Sequence, residues 1–418
     1  MEKKKKGLSL PAWIGISMVA GIVLGAILWA SMGAKAAGDF TTGYIKPFGT
    51  IFINLLKFVV VPIVLLSMVD GIVSMQDIKK VGSIGWKTIV YFLATTAIAC
   101  VIGLVIASLF QGSFPVLKMS GGQAFHSTAK SNMMDTIVNI FPSNLWKSLT
   151  SANMLQVIVI ALLFGAAILS VGEKGKMAAD LVSSLYAVMM KIMMFIITIS
   201  PIGVFCLMTW VVASQGPQIL GSLAIVLAAA YIGYILHAVI VYSMSVKVFA
   251  GMNPIKFFKS IAPAAIFAFS STSSVATLPL SKECCDKMDV NSEVSSFVLP
   301  LGATINMDGT AIYQCVATVF IACCVGVHLT MSQMILIVVT ATLASIGTAG
   351  TTGSGVIMLT MVLEAVGIDP TYIGLIFGID RLFDMGRTTL NIMGDISCSV
   401  CVNHWEARKL RKNSVAAQ

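Results

Sequence analysis

The sequence predicts an all-α membrane protein, and three observations carry that expectation. Of 418 residues, 57% are hydrophobic and only 11% are charged, against about 25% charged in soluble domains, and mean hydropathy is +0.93. Apolar runs recur along the chain at or above the ~20 residues that a bilayer crossing needs. Two further apolar segments in the second half are each interrupted at the centre by a Ser/Gly-rich stretch.

The elements follow in order. Apolar runs at 11–35, 45–74, 86–112, 136–171, 177–213 and 215–249 read as spanning helices. Most exceed the minimum length, which predicts tilt or breakage, and Pro62 and Pro201 are candidate kinks. Residues 113–135, polar and rich in Gly and Ser, read as a loop. The net charge of +9 includes Lys3–Lys6 and Arg408, Lys409, Arg411 and Lys412. These clusters flank apolar spans, so the positive-inside rule accounts for them better than nucleic-acid binding does. Both termini are then expected on the cytoplasmic side of the inner (plasma) membrane, with an even number of crossings. Pro11–Ser31 is too long for the apolar core of a signal peptide and reads as an anchor.

Beyond residue 255 the pattern changes. Segment 257–292 carries Phe267-Ala268-Phe269-Ser270-Ser271-Thr272-Ser273-Ser274 at its centre, and segment 331–367 carries Ser345 to Gly355. Neither half of either segment can cross a bilayer, so each is expected to be a re-entrant helical hairpin. Irregular backbone at membrane depth is tolerated only where protein buries it or a cavity is lined by it. A pair of such segments points to a transporter binding site.

The segment 371–402 should exclude charge, yet it contains Asp380, Arg381, Asp384, Arg387 and Asp395, with Asn391. Intramembrane ionisable groups are costly and mark function. Steps of 4, 3, 4 and 4 residues place Asp380, Asp384, Arg387, Asn391 and Asp395 on one helical face, with Thr388 beside it. A guanidinium grips a carboxylate through two parallel hydrogen bonds, and a neighbouring carboxylate holds an ammonium. That pattern suits an amino acid with an acidic side chain, whose second carboxylate can sit on a Ser-rich tip. The bland alternative is a structural i,i+3 pair between Asp384 and Arg387, which leaves Asp395 unexplained. The stretch Gly302-Ala303-Thr304-Ile305-Asn306-Met307-Asp308-Gly309-Thr310 breaks another apolar segment and offers a carboxylate, an amide, hydroxyls and unwound carbonyls. Those are ligands for a hard cation such as sodium. A protonated, buried aspartate is the alternative there.

Asn306 to Thr310, the run Ser273–Pro279, the run Ser345–Gly350 and Asp384-Met385-Gly386-Arg387-Thr388 with Asn391 resemble the glutamate transporter family, the dicarboxylate/amino acid:cation symporters. The likeness is greatest to archaeal sodium–aspartate transporters; it covers about 270–400, and the N-terminal half matches in span pattern. The resemblance implies eight transmembrane helices and two re-entrant hairpins arranged as inverted repeats. It also implies a homotrimer working as an elevator: scaffold helices in 1–85 and 113–213, transport-domain helix 86–112, transport domain 214–404, and a basic tail 405–418. By position it places substrate on Ser274, Thr310, Thr351, Gly355, Asp384, Arg387, Thr388 and Asn391. It places sodium in one site on Gly302, Asn306, Asn391 and Asp395. A second site would use Thr304, Ser345, Ile346 and Thr348, and a third Tyr91 or Phe92, Thr95, Thr96, Asn306 and Asp308. The implied partners are an amino acid, sodium ions, lipid and copies of the chain, with no nucleic acid. The chain departs from the family pattern at Thr272 and Met385, where an extra arginine is usual and Arg381 can stand in. It departs also at Phe92, at Val275, and at Thr351-Thr352-Gly353.

Other classes fit less well. No repeated filter motif suggests a channel, and no Ser/His pair, catalytic carboxylate pair or HExxH suggests an enzyme. Gly82 to Thr88 has the wrong spacing for a phosphate loop. Cys398 and Cys401 with His404 lack the second ligand pair of a zinc site and the adjacent His of a haem motif. A C4-dicarboxylate or a neutral amino acid is the alternative cargo: Asp384 speaks against the first, Arg387 against the second. Gln314, where proton-coupled animal relatives resemble a glutamate, cannot titrate, so coupling is expected to use sodium without obligatory protons.

Overall fold

The computed structural model describes residues 10–74, 83–117, 138, 141–151, 153–345 and 354–416; among them every regular element is helical. α1 (Leu10–Tyr44) bends at Gly33, whose φ of 76° no L side chain adopts cheaply, and it continues past the expected end at residue 35. α2 (Lys46–Ser74) accommodates Pro62 without ending. α3 (Ser83–Phe110) gives way to a 3₁₀ turn, Gln111–Ser113.

Two expected spans divide. The run 136–171 is a short α4 (Leu145–Thr150) and then α5 (Met154–Val171). Asn144 and Asn153 each start a helix by accepting a hydrogen bond from the backbone N–H of Lys147 (2.9 Å) and Gln156 (3.3 Å). The run 177–213 is α6 (Lys176–Thr198) and α7 (Ser200–Gln215). Pro201 sits in the first turn of α7, where its missing N–H costs nothing. The run 215–249 is α8 (Ile219–His237), a π turn at Ala238–Tyr242, and α9 (Ser243–Ala250).

α10 (Pro254–Ser271) and α11 (Ser274–Asp286) pack together as a hairpin. Its tip turns at Thr272, with φ 52°, and Ser273 caps α11 through the Ala276 N–H at 3.2 Å. α12 (Ser292–Ile305) and α13 (Asp308–Cys324) are separated by unwound Asn306 and Met307, which is the break expected from sequence. α14 (Met331–Ala344) and α15 (Ser354–Ala365) pack as a second hairpin; its tip, 346–353, lies outside the described residues. The segment read as 371–402 begins with two 3₁₀ turns, Pro370–Leu375 and Phe377–Ile379. Only then does α16 (Asp380–Ala416) begin, and it extends past the expected end.

Among the described residues, six stretches are long and apolar enough to cross a membrane: Ala12–Tyr44, Lys46–Val73, Ser83–Ser113, Gln156–Thr198, Ile219–Ala250 and Ser292–Cys324. The helices pack in two sets. In one, α1 lies along α7, and α2 lies against α5, α6 and α7. Gly21 and Gly25 make the α1–α7 approach possible, since a Cβ there would stand 2.7 and 2.8 Å from the Phe205 and Thr209 carbonyl oxygens. In the other set, α3 and α8 to α16 surround α13 and the N-terminal half of α16, where the chemistry sits. The sets meet chiefly where α15 and residues 370–379 pack on α2, α5 and α7.

Candidate functional site

α16 begins at Asp380, so the face read from sequence enters the core in a continuous helix. Arg387 Nε donates to Asp384 Oδ1 at 2.9 Å, and Nη1 reaches Asp380 Oδ1 at 3.3 Å. Arg381 Nη1 approaches Asp384 Oδ2 at 3.6 Å, and the Thr388 hydroxyl donates to Asp384 Oδ1 at 3.1 Å. The Arg387 guanidinium stacks 4.9 Å over the Tyr313 ring. Its Nη2 is buried with no partner among the described residues. A buried cation with a free N–H edge is one half of a fork for a carboxylate.

Gly355, at the start of α15, lies against the guanidinium; any Cβ there would collide with it. Gly309 likewise lies against the Arg387 backbone. Thr310 is buried, its hydroxyl 3.5 Å from Asn391 Nδ2. Ser274 is buried in the first turn of α11. A cleft of about 270 Å³ reaches this region from the boundary between the helix sets, with Phe52 and Leu56 on one side and Ser271, Asp380, Arg381 and Asp384 on the other. Of the substrate residues read from sequence, the structure thus gathers Thr310, Gly355, Asp384, Arg387, Thr388 and Asn391. Thr351 lies outside the described residues.

One to two turns further along α16 the chemistry changes. Asn306, unwound between α12 and α13, donates through Nδ2 to Asp395 Oδ1 (2.8 Å) and to the Asn391 carbonyl (2.7 Å). Asn391 Oδ1 accepts from the Gly309 N–H at 2.8 Å. Gly302 lets Asp395 approach α12, since a Cβ there would collide with the carboxylate. Asp395 Oδ2 and Asn306 Oδ1 are both buried without a partner among the described residues. Two orphaned acceptor oxygens buried side by side are what a cation would satisfy. They therefore fit sodium.

Asp308 opens α13 and is wholly buried. Its Oδ1 accepts from the hydroxyls of Thr96 (2.7 Å) and Thr95 (3.3 Å) on α3. Its Oδ2 meets Tyr242 Oη (2.8 Å) and His237 Nε2 (3.2 Å). The Tyr91 hydroxyl is engaged elsewhere, 2.8 Å from Ser397 Oγ; the neighbouring oxygen that faces Thr95 is the Phe92 carbonyl, at 3.2 Å. Thr304 and Ser345 turn their hydroxyls to carbonyls of their own helices, Leu301 and Thr342. Ile346 and Thr348 lie outside the described residues.

His237 and Tyr242 were not singled out by sequence. The signal was present: His237 stands in the middle of the apolar run 215–249, whose one lysine, Lys247, lies near its end, the same kind of anomaly that exposed Asp384 and Asp395.

The profile of the sodium:dicarboxylate symporter family matches residues 10–405. The chain is 33% identical over 413 residues to a proton/sodium-glutamate symport protein of Geobacillus stearothermophilus, covering 97% of this chain and 96% of that one. It is 31% identical to excitatory amino acid transporter 3 of Mus musculus, covering 97% and 88%. It is also 31% identical to a C4-dicarboxylate transport protein of Anaeromyxobacter sp. (strain K), covering 94% and 89%. The chain belongs to the sodium:dicarboxylate symporter family, the glutamate transporters, and is a multi-pass membrane protein related to symporters.

Proposed function

We propose that this sodium:dicarboxylate symporter family member is a secondary active transporter carrying an acidic amino acid, aspartate or glutamate, into the cell with sodium. The single observation behind this reading is the pairing of Arg387 with Asp384 in a buried site: one free guanidinium edge for a side-chain carboxylate, and one carboxylate for an ammonium. An amine-free dicarboxylate would leave Asp384 facing an anion, and a neutral amino acid would leave Arg387 unanswered. Ser274, Thr310, Thr351, Gly355, Thr388 and Asn391 complete the pocket in this reading. Asn306, Asn391 and Asp395 with the Gly302 carbonyl take one sodium. Asp308 with Thr95, Thr96 and Asn306 takes another, and Thr304, Ser345, Ile346 and Thr348 a third.

Substrate entry would exchange partners at Arg387: its N–H edge turns from the helix's own aspartates to the incoming carboxylate, while Asp384 takes the ammonium. Sodium bound at Asp395 fixes Asn391 and Asn306, which flank the substrate residues on the same helices, so the two bindings favour each other. In the elevator form of the mechanism, with eight crossings, two re-entrant hairpins and three copies of the chain, the α3/α8–α16 set would move as a transport domain. It would slide against a scaffold of α1, α2 and α4–α7. Gln314, fully buried in α13, has no proton to give, which supports a cycle without obligatory proton co-transport.

The test is thermal unfolding of purified protein against aspartate, glutamate, C4-dicarboxylates and neutral amino acids, in sodium and in choline. Stabilisation follows RT ln(1 + [L]/Kd). Aspartate or glutamate should raise Tm only in sodium. A rise with an amine-free dicarboxylate, and none with either acidic amino acid, would overturn the cargo.

A further inference from the structure

We infer that His237 is a positioning residue for sodium binding: it holds Oδ2 of Asp308 so that Oδ1 faces the Thr95 and Thr96 hydroxyls, the oxygens that a cation would share. This rests on the proposed role of Asp308 as a cation ligand.

The geometry separates the two oxygens of one carboxylate. Oδ1 meets only hydroxyls, Thr96 at 2.7 Å and Thr95 at 3.3 Å, and a hydroxyl can turn from donor to ligand by rotating its proton. Oδ2 meets His237 Nε2 at 3.2 Å and Tyr242 Oη at 2.8 Å. Tyr242 has one proton and two acceptors in reach, since the Leu390 carbonyl lies at 3.2 Å. His237 has no such division: its Nδ1 finds no partner among the described residues, so Asp308 is its sole hydrogen-bond acceptor there. An unpartnered lone pair is a smaller loss than an unpartnered N–H. We therefore place the proton on Nε2, the tautomer that donates to the carboxylate. This needs no charge on the imidazole.

The backbone is built for the arrangement. On a regular α-helix, residues five apart stand about 140° from each other. The π turn at Ala238–Tyr242 follows His237 directly, and closing a turn by i→i+5 bonds brings His237 and Tyr242 onto one side. Their rings then meet edge to face, 4.9 Å between centroids, and both reach the same oxygen. Partners that orient a ligand from behind are worth ~10–100-fold in metal affinity.

The experiment measures the sodium midpoint of ligand-induced thermal stabilisation in the full-length protein, together with aspartate affinity at saturating sodium. The variants are His237→Leu, His237→Gln, Asp308→Asn and the double variant H237L/D308N. His237→Leu should raise the sodium midpoint at least ~10-fold while aspartate affinity at saturating sodium stays within about threefold. His237→Gln, whose amide can still donate, should recover most of the midpoint. Adding His237→Leu to Asp308→Asn should cause no further shift, because the carboxylate being positioned is gone. An unchanged midpoint in His237→Leu, with Asp308→Asn strongly shifted, would overturn the inference and leave the cation site standing. An equal loss in His237→Leu and His237→Gln would overturn it too, as would an additive double variant, since each assigns His237 to packing. An unchanged midpoint in Asp308→Asn would instead overturn the cation site itself.

Discussion

Two pairs of aspartates, all buried except the partly exposed Asp380, have opposite kinds of partner. Asp380 and Asp384 lie beside Arg381 and Arg387, so that end of α16 carries its own counter-ions, 2.9 to 3.6 Å away. Asp395 has an amide at 2.8 Å and a bare second oxygen, and Asp308 has hydroxyls and one imidazole. No Lys or Arg forms an ion pair with either among the described residues. Burying an unpaired carboxylate is among the costliest arrangements a fold can hold. The difference matches the ligand that the proposed function gives each centre. A site with its own paired charges can trade them for a ligand that carries both signs. In the proposed function, the centre whose carboxylates have no Lys or Arg partner takes the cation.

The largest expected effect comes from removing the fully buried Arg387 at the trading site. Arg387→Ala leaves the substrate carboxylate unpaired, a loss of roughly 2–5 kcal/mol in binding. Calorimetry in sodium should show aspartate affinity falling at least ~30-fold with the fold retained; unchanged affinity would erase the distinction between the two centres.

Next come the aspartates without counter-ions. Asp395→Asn and Asp308→Asn each remove a carboxylate that pairs with no Lys or Arg among the described residues. Each should raise the sodium concentration needed for binding by ~10-fold or more, while aspartate affinity at saturating sodium changes less. If instead sodium dependence were untouched and substrate lost, the assignment of the centres would be reversed.

Gly355 gives a subtler probe. Alanine there would press on the Arg387 guanidinium without changing any charge, so it should weaken aspartate while leaving the midpoint for sodium alone near its original value. A proportionate loss of both would mean that the centres are not separable.

The smallest effect lies where α2 meets the segment after α15. Lys57 Nζ pairs with Asp369 at 2.9 Å and reaches the Thr371 hydroxyl at 3.0 Å, but the carboxylate is more than half exposed. Exposed pairs are worth about 0–1 kcal/mol. Burial pushes the Asp369 carboxyl up, but hydrogen bonds from Thr371 and Lys57 outweigh it and hold it below its ordinary value. A lowered carboxyl stabilises the fold at pH above its unfolded pKa and stops doing so as pH falls through the lowered one. Lys57→Met should therefore cost little at pH 7, and its difference from the parent should shrink below about pH 4. A large Tm loss at neutral pH would show that the two helix sets are held together by this pair.

Much of this was readable in the chain. The spacing of Asp380, Asp384, Arg387, Asn391 and Asp395 survives intact because one continuous helix carries them. The break at Asn306–Met307 and the tip at Thr272–Ser273 also fall where small and polar residues interrupt apolar runs. What failed was local. Asn caps split 136–171, and an N-terminal proline split 177–213; hydropathy averages across both. The 3₁₀ turns at 370–379 are as apolar as a helix would be. His237 stands out in its apolar run, but its partner is tertiary: a π turn and the start of α13 bring it to Asp308.

The central claim is that the two centres are coupled, one for an acidic amino acid and one for sodium. Isothermal titration of aspartate into purified protein across a series of sodium concentrations, with choline holding ionic strength constant, tests it most directly. Reciprocal coupling is typically worth 1–3 kcal/mol, about 5–150-fold in affinity. The account predicts that aspartate binding tightens at least that much as sodium rises from trace to saturating levels. Affinity equally tight without sodium would contradict it.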